Sequence, residues 1–217
     1  MKTIIKGSEP SSLTQYRNTP GANYEDLPRD SKNELRAALS SEQGAICCYC
    51  MGRIYPKRCG MRVEHWRCQS ENQELQLVYS NLLGACLGNE AKPNERKPFK
   101  ELYCDARKGE SNLSLNPANP EHQVEAWVRY HSNGRIESPD AKFNCELNQV
   151  LNLNHRFLVT SRKMVLAGFT TGLKKRGALR KDTIQRLIGD WDCTNISQCR
   201  PYCGVVVAWL RKRLARA

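Results

Sequence analysis

Four cysteines constrain this chain more than any other feature. Residues 45–68 read AICCYCMGRIYPKRCGMRVEHWRC, and Cys47 and Cys50 in that stretch form a CxxC pair. Cys86 ends a later apolar run, and Cys104 follows a Pro-containing loop. Two thiolates on a tight turn grip one side of a metal ion, and two more complete a tetrahedral zinc site. A lone CxxC also fits a redox pair, but no thioredoxin-like βαβ pattern surrounds this one. Zinc on Cys47, Cys50, Cys86 and Cys104 would pin the ends of a small β unit that has little core of its own. Its formation free energy would be on the order of 10 kcal/mol. Seventeen residues separate Cys86 from Cys104, so the second half-site requires a looped-out knuckle.

The chain has eleven cysteines, an odd number. The stretch MKTIIKGSEP has no apolar h-region, and apolar runs such as GVVVAWL (204–210) fall far short of the roughly 20 residues a membrane span needs. A cytoplasmic location with metal-bound or free thiols is therefore expected, without a membrane and without a disulfide framework. Cys48 stands next to the pair but out of register. Cys59, Cys68, Cys145, Cys193, Cys199 and Cys203 read as buried thiols, with Cys199 and Cys203 as a weaker second half-site.

At 217 residues the chain fits one compact unit in three segments. Residues 1–44 are an arm followed by a helix, 45–140 a cysteine-bearing core with a hairpin, and 141–217 a helical basic region. RDSKNELRAALSSE (29–42) predicts a helix, with Leu35, Ala38 and Leu39 at helical spacing and Asp30 or Ser31 as its cap. MRVEHW and YSNLLGAC predict short strands. VEAWVRYHSNGRIE (124–137) predicts a β-hairpin on a type I′ Asn-Gly turn. Residues from about 144 onward read as helices, and in VVVAWLRKRL the residues Val206, Trp209, Leu210 and Leu214 would pack inward. The class is α+β.

The net charge of +12 is uneven: residues 156–217 hold 14 Lys/Arg against only Asp182, Asp190 and Asp192. Such a basic block suggests a polyanionic partner, above all nucleic acid. LKKRGALRK (173–181), with Lys174, Lys175 and Arg176, is its densest part.

Glu64 and His65 lie side by side at the end of the first predicted strand, where both can serve one site. A histidine near its ordinary pKa takes a proton from water at neutral pH. Asn81 begins the second run and can set the imidazole tautomer. Asp105 directly follows the fourth cysteine, and Lys108 comes three residues later. Asn116 in LSLNP reads as a turn residue before proline.

Together these residues resemble the HNH, or ββα-metal, endonucleases. The family's zinc-bearing pattern is CxxC, an acid–His pair, Asn, then two cysteines, the second opening a CHxxK-like helix start. Cys47/Cys50, Glu64-His65, Asn81, Cys86 and CDARK (104–108) follow it. Departures are Glu64 where many members have Asp, Asp105 where the pattern has His or Asn, and the wide spacing of the last two cysteines. Over almost the whole chain the sequence resembles the PtuB nuclease subunit of Septu-type and retron-associated anti-phage systems. EQGAICCYCMGRI, VEHWRCQS, YSNLLGAC, CDARKGESNLSLNP and PYCGVVVAWLRKRL carry that likeness.

The resemblance implies a zinc-stabilised ββα-metal core and phosphodiester hydrolysis, with His65 as general base and Asn81 orienting it. Glu64 and Asp105 would hold Mg²⁺ or Mn²⁺, and Arg67 and Lys108 would touch flanking phosphates. It also implies an ABC/SMC-type ATPase partner of the PtuA kind and, in a retron setting, a reverse transcriptase with its DNA–RNA hybrid. An RNA-cleaving effector, a non-catalytic zinc-containing nucleic-acid-binding module and a pure adaptor remain open alternatives at the level of sequence.

Overall fold

The computed structural model describes residues 1–90, 97–174, 180–193 and 198–216. After the short helix α1 (Ser11–Arg17), helix α2 spans Arg29–Glu42, matching the predicted bounds. Leu35 and Leu39 are fully buried, at roughly 1.5–3 kcal/mol each. The predicted cap is not used. Pro28 occupies the N-cap position without a side-chain bond, and Asp30 and Ser31 fall inside the first turn. Proline suits the start of a helix because the amide it lacks would be unsatisfied there anyway.

β1 (Arg62–His65) and β2 (Leu82–Ala85) form a two-stranded antiparallel sheet, with Arg62 opposite Ala85 and His65 opposite Leu82. A sheet this small is marginal alone. Helix α2 supports it through Gln43, whose amide accepts from Gly84 N at 2.6 Å and donates to Gly84 O at 2.8 Å. Gly84 allows that approach, since a Cβ there would sit 2.9 Å from Met61 Cε and 3.2 Å from Gln43 Nε2. The one-turn helix α3 (Asp105–Lys108) follows.

The second sheet pairs β3 (Arg129–Tyr130) with β4 (Ile136–Glu137). It is shorter than predicted, because residues 124–127 form turns. Its loop is not type I′ either: Gly134 is left-handed at φ +89° and Asn133 is not. Gly134 N bonds His131 O at 3.0 Å, and His131 N bonds Arg135 O at 2.9 Å, so the loop is a three-residue turn closed by a left-handed glycine.

The helical stretch from 144 is broken. α4 (Ala141–Cys145) passes into a π-helical turn over Glu146–Val150, left-handed Asn152 ends it, and α5 (Arg156–Lys174) restarts beyond. α6 (Lys181–Trp191) packs on α7 (Cys203–Leu214). On α7, Val206 and Leu210 are fully buried, and Trp209 and Leu214 pack against the core while partly exposed. The architecture is α+β with two small sheets. One hydrophobic cluster draws on all three sequence segments, from Met1 and Leu35 through Leu83 to Leu158 and Leu210. Among the described residues, no helix is long and apolar enough to cross a membrane.

Candidate active site

The four thiols meet. Sγ atoms of Cys47, Cys50, Cys86 and Cys104 lie within 4.8 Å of one another, and Cys47–Cys104 and Cys50–Cys86 are each 3.8 Å apart. A tetrahedron of Zn–S bonds of about 2.3 Å has edges of about 3.8 Å, so four sulfurs at this spacing fit one zinc ion. The CxxC half is a tight knuckle. Met51 is left-handed at φ +62°, its amide returns to Cys47 O at 3.0 Å, and Gly52 N donates to Cys50 Sγ at 3.3 Å.

The other half explains how two cysteines so far apart in sequence converge. Tyr103 N donates to Gly88 O at 3.0 Å and so ties the base of the intervening loop. Only glycine allows this at position 88. Its φ is +61°, and a Cβ would lie 2.2 Å from Tyr103 O. The remaining cysteines divide differently from expectation. Cys48, Cys68 and Cys203 are buried, but Cys59 and Cys145 are exposed. Cys193 and Cys199 are joined as a disulfide, and Cys203 Sγ stands 3.7 Å from Cys193 Sγ.

Beside the thiol cluster, β1 ends on Glu64 and His65, both buried. The Tyr49 hydroxyl donates to Glu64 Oε1 at 2.7 Å, and Lys108 Nζ lies 2.9 Å from the same oxygen. Burial, together with the charge and hydrogen bond of neighbouring Asp105, pushes the Glu64 carboxyl well above the usual carboxylate range, against Lys108 and Tyr49. Asp105 Oδ2 accepts from Arg62 Nε, and Arg62 Nη1 reaches Glu90 at 2.6 Å. Two oxygen-donor side chains thus adjoin, with a cation on either side. Hard donors of this kind suit Mg²⁺ or Mn²⁺. Asp105 would have to exchange its guanidinium partner for the ion, and Glu64 would have to loosen from Lys108.

His65 Nε2 is 3.0 Å from Gln76 O. A carbonyl only accepts, so Nε2 carries the proton and Nδ1 holds the free lone pair. Burial lowers the imidazole pKa to about 4, with the Gln76 bond opposing, so the ring is neutral at physiological pH. The Tyr24 ring stands edge-on to it at 4.6 Å.

Two assignments from sequence are corrected. Asn81 does not bond the imidazole. Its side chain accepts from Arg67 N at 2.8 Å and donates to Arg67 O at 3.1 Å and Leu75 O at 3.2 Å. It fixes the loop that presents the Gln76 carbonyl, so its effect on His65 is indirect. Lys108 does not face solvent: it is 2 % exposed, and its ammonium bonds His65 O at 3.1 Å as well as Glu64. Arg67 is partly exposed, with its guanidinium 4.4 Å from the centre of the Trp66 ring. Lys174 ends α5, while Lys175 and Arg176 lie outside the described residues. Asn116 Oδ1 accepts from Ala118 N at 2.8 Å, the bond of a turn.

Sequence reasoning missed Tyr49, Arg62, Gln76 and Tyr24. Gln76 acts through its backbone, which no side chain advertises. Arg62 is three residues before His65 and carried no signal beyond its charge. No protein-family model matches this chain, and no curated protein matches it.

Proposed function

We propose that this chain is a metal-dependent endonuclease of the HNH type, hydrolysing phosphodiester bonds in nucleic acid. One observation carries the reading: a neutral, tautomer-fixed His65 at the end of a two-stranded sheet, beside the adjoining carboxyls of Glu64 and Asp105 and next to a four-thiol cluster. In this mechanism His65 Nδ1 takes the proton of the attacking water. The Gln76 carbonyl, already bonded to Nε2–H, steadies the imidazolium that forms. Lys108 holds the Glu64 carboxyl and the His65 carbonyl in one place. Glu64 and Asp105 supply oxygen ligands. When bound, Mg²⁺ or Mn²⁺ neutralises charge on the phosphate and the departing 3′ oxygen. The thiol cluster holds zinc as a structural ion. The sequence likeness adds the wider reading: an effector of a prokaryotic anti-phage system that works with an ABC/SMC-type ATPase and, in a retron setting, with a reverse transcriptase and its DNA–RNA hybrid.

A second reading, a non-catalytic zinc-containing nucleic-acid-binding adaptor, is favoured by two contacts. Arg62 engages Asp105, and the Tyr24 ring packs perpendicular to His65 at 4.6 Å. The two readings separate in one assay, the cleavage of plasmid DNA and of RNA by the purified chain with its ATPase partner and Mg²⁺ or Mn²⁺. In His65→Ala the rate is expected to fall on the order of 10²–10⁴-fold, with zinc content and fold unchanged. Near-full activity in that variant removes the mechanism, and no cleavage by the wild type under any of these conditions favours the adaptor.

A further inference from the structure

Helix α2 carries Arg29, Lys32 and Arg36 at i, i+3 and i+7, which puts them on one face. Across an open groove of about 950 Å³ stand Lys57 and Arg58, from the segment before β1. Ten residues line the groove, five of them cations and none acidic. Tyr24 is among them, and this is the ring that meets His65 edge-on at 4.6 Å. The groove therefore abuts the imidazole through one aromatic side chain.

None of the five cations pairs with a described carboxylate. Lys32 Nζ donates to the Glu25 carbonyl, Lys57 lies 6.0 Å from the Tyr55 ring centre, and Arg36 Nε is buried without a hydrogen-bond partner. Elsewhere the chain pairs its cations readily: Lys2, Lys6, Arg17, Arg62 and Lys108 each meet an acid. Five uncompensated like charges around one groove repel one another, and a polyanion relieves that repulsion. Three of them are guanidinium groups, whose forked donors match phosphate oxygens in pairs.

We propose that this groove binds the phosphodiester backbone of a nucleic-acid strand and leads it to His65. The binding stands on the groove itself, and only the destination rests on the nuclease reading above.

Cys59 lines the groove and is exposed, while Cys145 is also exposed but lines a different cavity. The two thiols serve as probe and internal control. The full-length zinc-loaded chain is alkylated with N-ethylmaleimide, without added Mg²⁺ or Mn²⁺, and each cysteine is followed by peptide mass spectrometry. Single-stranded DNA, duplex DNA, single-stranded RNA and polyglutamate are tested separately. The expected result is that a bound nucleic acid slows Cys59 alkylation several-fold and leaves Cys145 unchanged. The double variant Lys57→Glu/Arg58→Glu alters only exposed side chains, so its circular dichroism should match wild type. Its affinity is expected to drop roughly tenfold or more near 0.15 M salt, with a salt slope shallower by about 2. Equal effects on Cys59 and Cys145 under bound nucleic acid, or unchanged affinity and slope in the folded double variant, overturn the proposal. So does protection of Cys59 by polyglutamate at matched charge, which would make the groove a general acidic-chain site. Cleavage is scored separately with Mg²⁺ or Mn²⁺ and the ATPase partner: cleavage without Cys59 protection sinks the groove alone, and protection without cleavage keeps the groove and sinks the nuclease reading.

Discussion

Burial, not a charged partner, holds His65 neutral, and that has a measurable cost. The unfolded imidazole takes up a proton near its ordinary pKa of about 6.5, whereas the folded one resists until about 4. Between those values the unfolded state binds more protons, so stability falls as pH drops, by up to about 1.4 kcal/mol per pH unit. Urea unfolding without added divalent cation should therefore show wild type losing about 1 kcal/mol more than His65→Gln between pH 7.5 and 5.5. Parallel pH curves for the two proteins would contradict the buried, neutral ring. At this scale the sequence was informative for the thiols, the acids and the imidazole, but not for the side chains that pack around them, Tyr24, Tyr49 and Arg62. Cys47, Cys50, Cys86, Cys104, Glu64, His65 and Asp105 could all be picked out by type and order, and they converge in space. The tautomer of His65 was not readable, because the atom that sets it is the Gln76 carbonyl, and Asn81 reaches that carbonyl only by shaping its loop.

Helix α5 shows how one element organises others. Arg162 is 1 % exposed, and its guanidinium donates to Gly134 O and Leu153 O at 2.6 Å each. It thereby fastens both the turn of the second sheet and the break before α5. Burial lowers its pKa, while the phenols of Tyr130 and Tyr202 and the thiols of Cys50 and Cys104 act in the opposite sense. Four thiolates around one zinc ion carry a net charge of −2, so a buried cation within their reach offsets them. Arg162→Met keeps the volume but strands two buried carbonyls, and should cost about 2–4 kcal/mol. The same change should weaken zinc retention about tenfold or more, read by chelator competition. Lost stability with unchanged zinc affinity would confine Arg162 to the turn. Nothing in the sequence flagged this residue, since an arginine in a basic helix reads as solvated until packing buries it. The regular helices α2, α6 and α7 were legible as helices, although the cap predicted for α2 is not the one it uses. The 124–128 alternation misled because Val124 is buried from a turn and Val128 from the residue between that turn and β3, where four-residue spacing serves as well as strand spacing. The helical run after 144 broke where left-handed Asn152 reverses the chain, a conformation asparagine tolerates better than most residues.

Over the whole molecule, net charge and binding surface do not coincide. The basic excess lies in residues 156–217, yet Arg162 is buried, Arg211 meets Asp192, Arg180 meets Asp182, and Arg200 and Arg213 lie over tryptophan rings. The uncompensated groove belongs instead to the half of the chain where acids and bases nearly balance, because Glu34 and Glu42 on α2 are engaged elsewhere by Ser12, Lys6 and Tyr79. What holds this arrangement together is the thiol cluster, which joins the end of α2, the end of β2 and the start of α3. Tyr202, at the head of α7, bonds Met51 O in the same knuckle at 2.8 Å, so the C-terminal helices are anchored there too. Without a bound ion the four thiols keep little beyond their contacts with one another and the Gly52 amide bond to Cys50 Sγ, and each segment loses its shared point. If the cluster holds zinc as proposed, chelating it should therefore abolish cooperative unfolding of the whole chain rather than loosen one loop, with a stability loss on the order of 10 kcal/mol if the site behaves like isolated zinc modules. Cys50→Ser should reproduce the effect, giving a chain that lacks its one equivalent of zinc and no longer melts in a single transition. A zinc-free variant with a sharp, near-native melt would show that hydrocarbon packing alone sets the fold, and that the four sulfurs sit together for another reason.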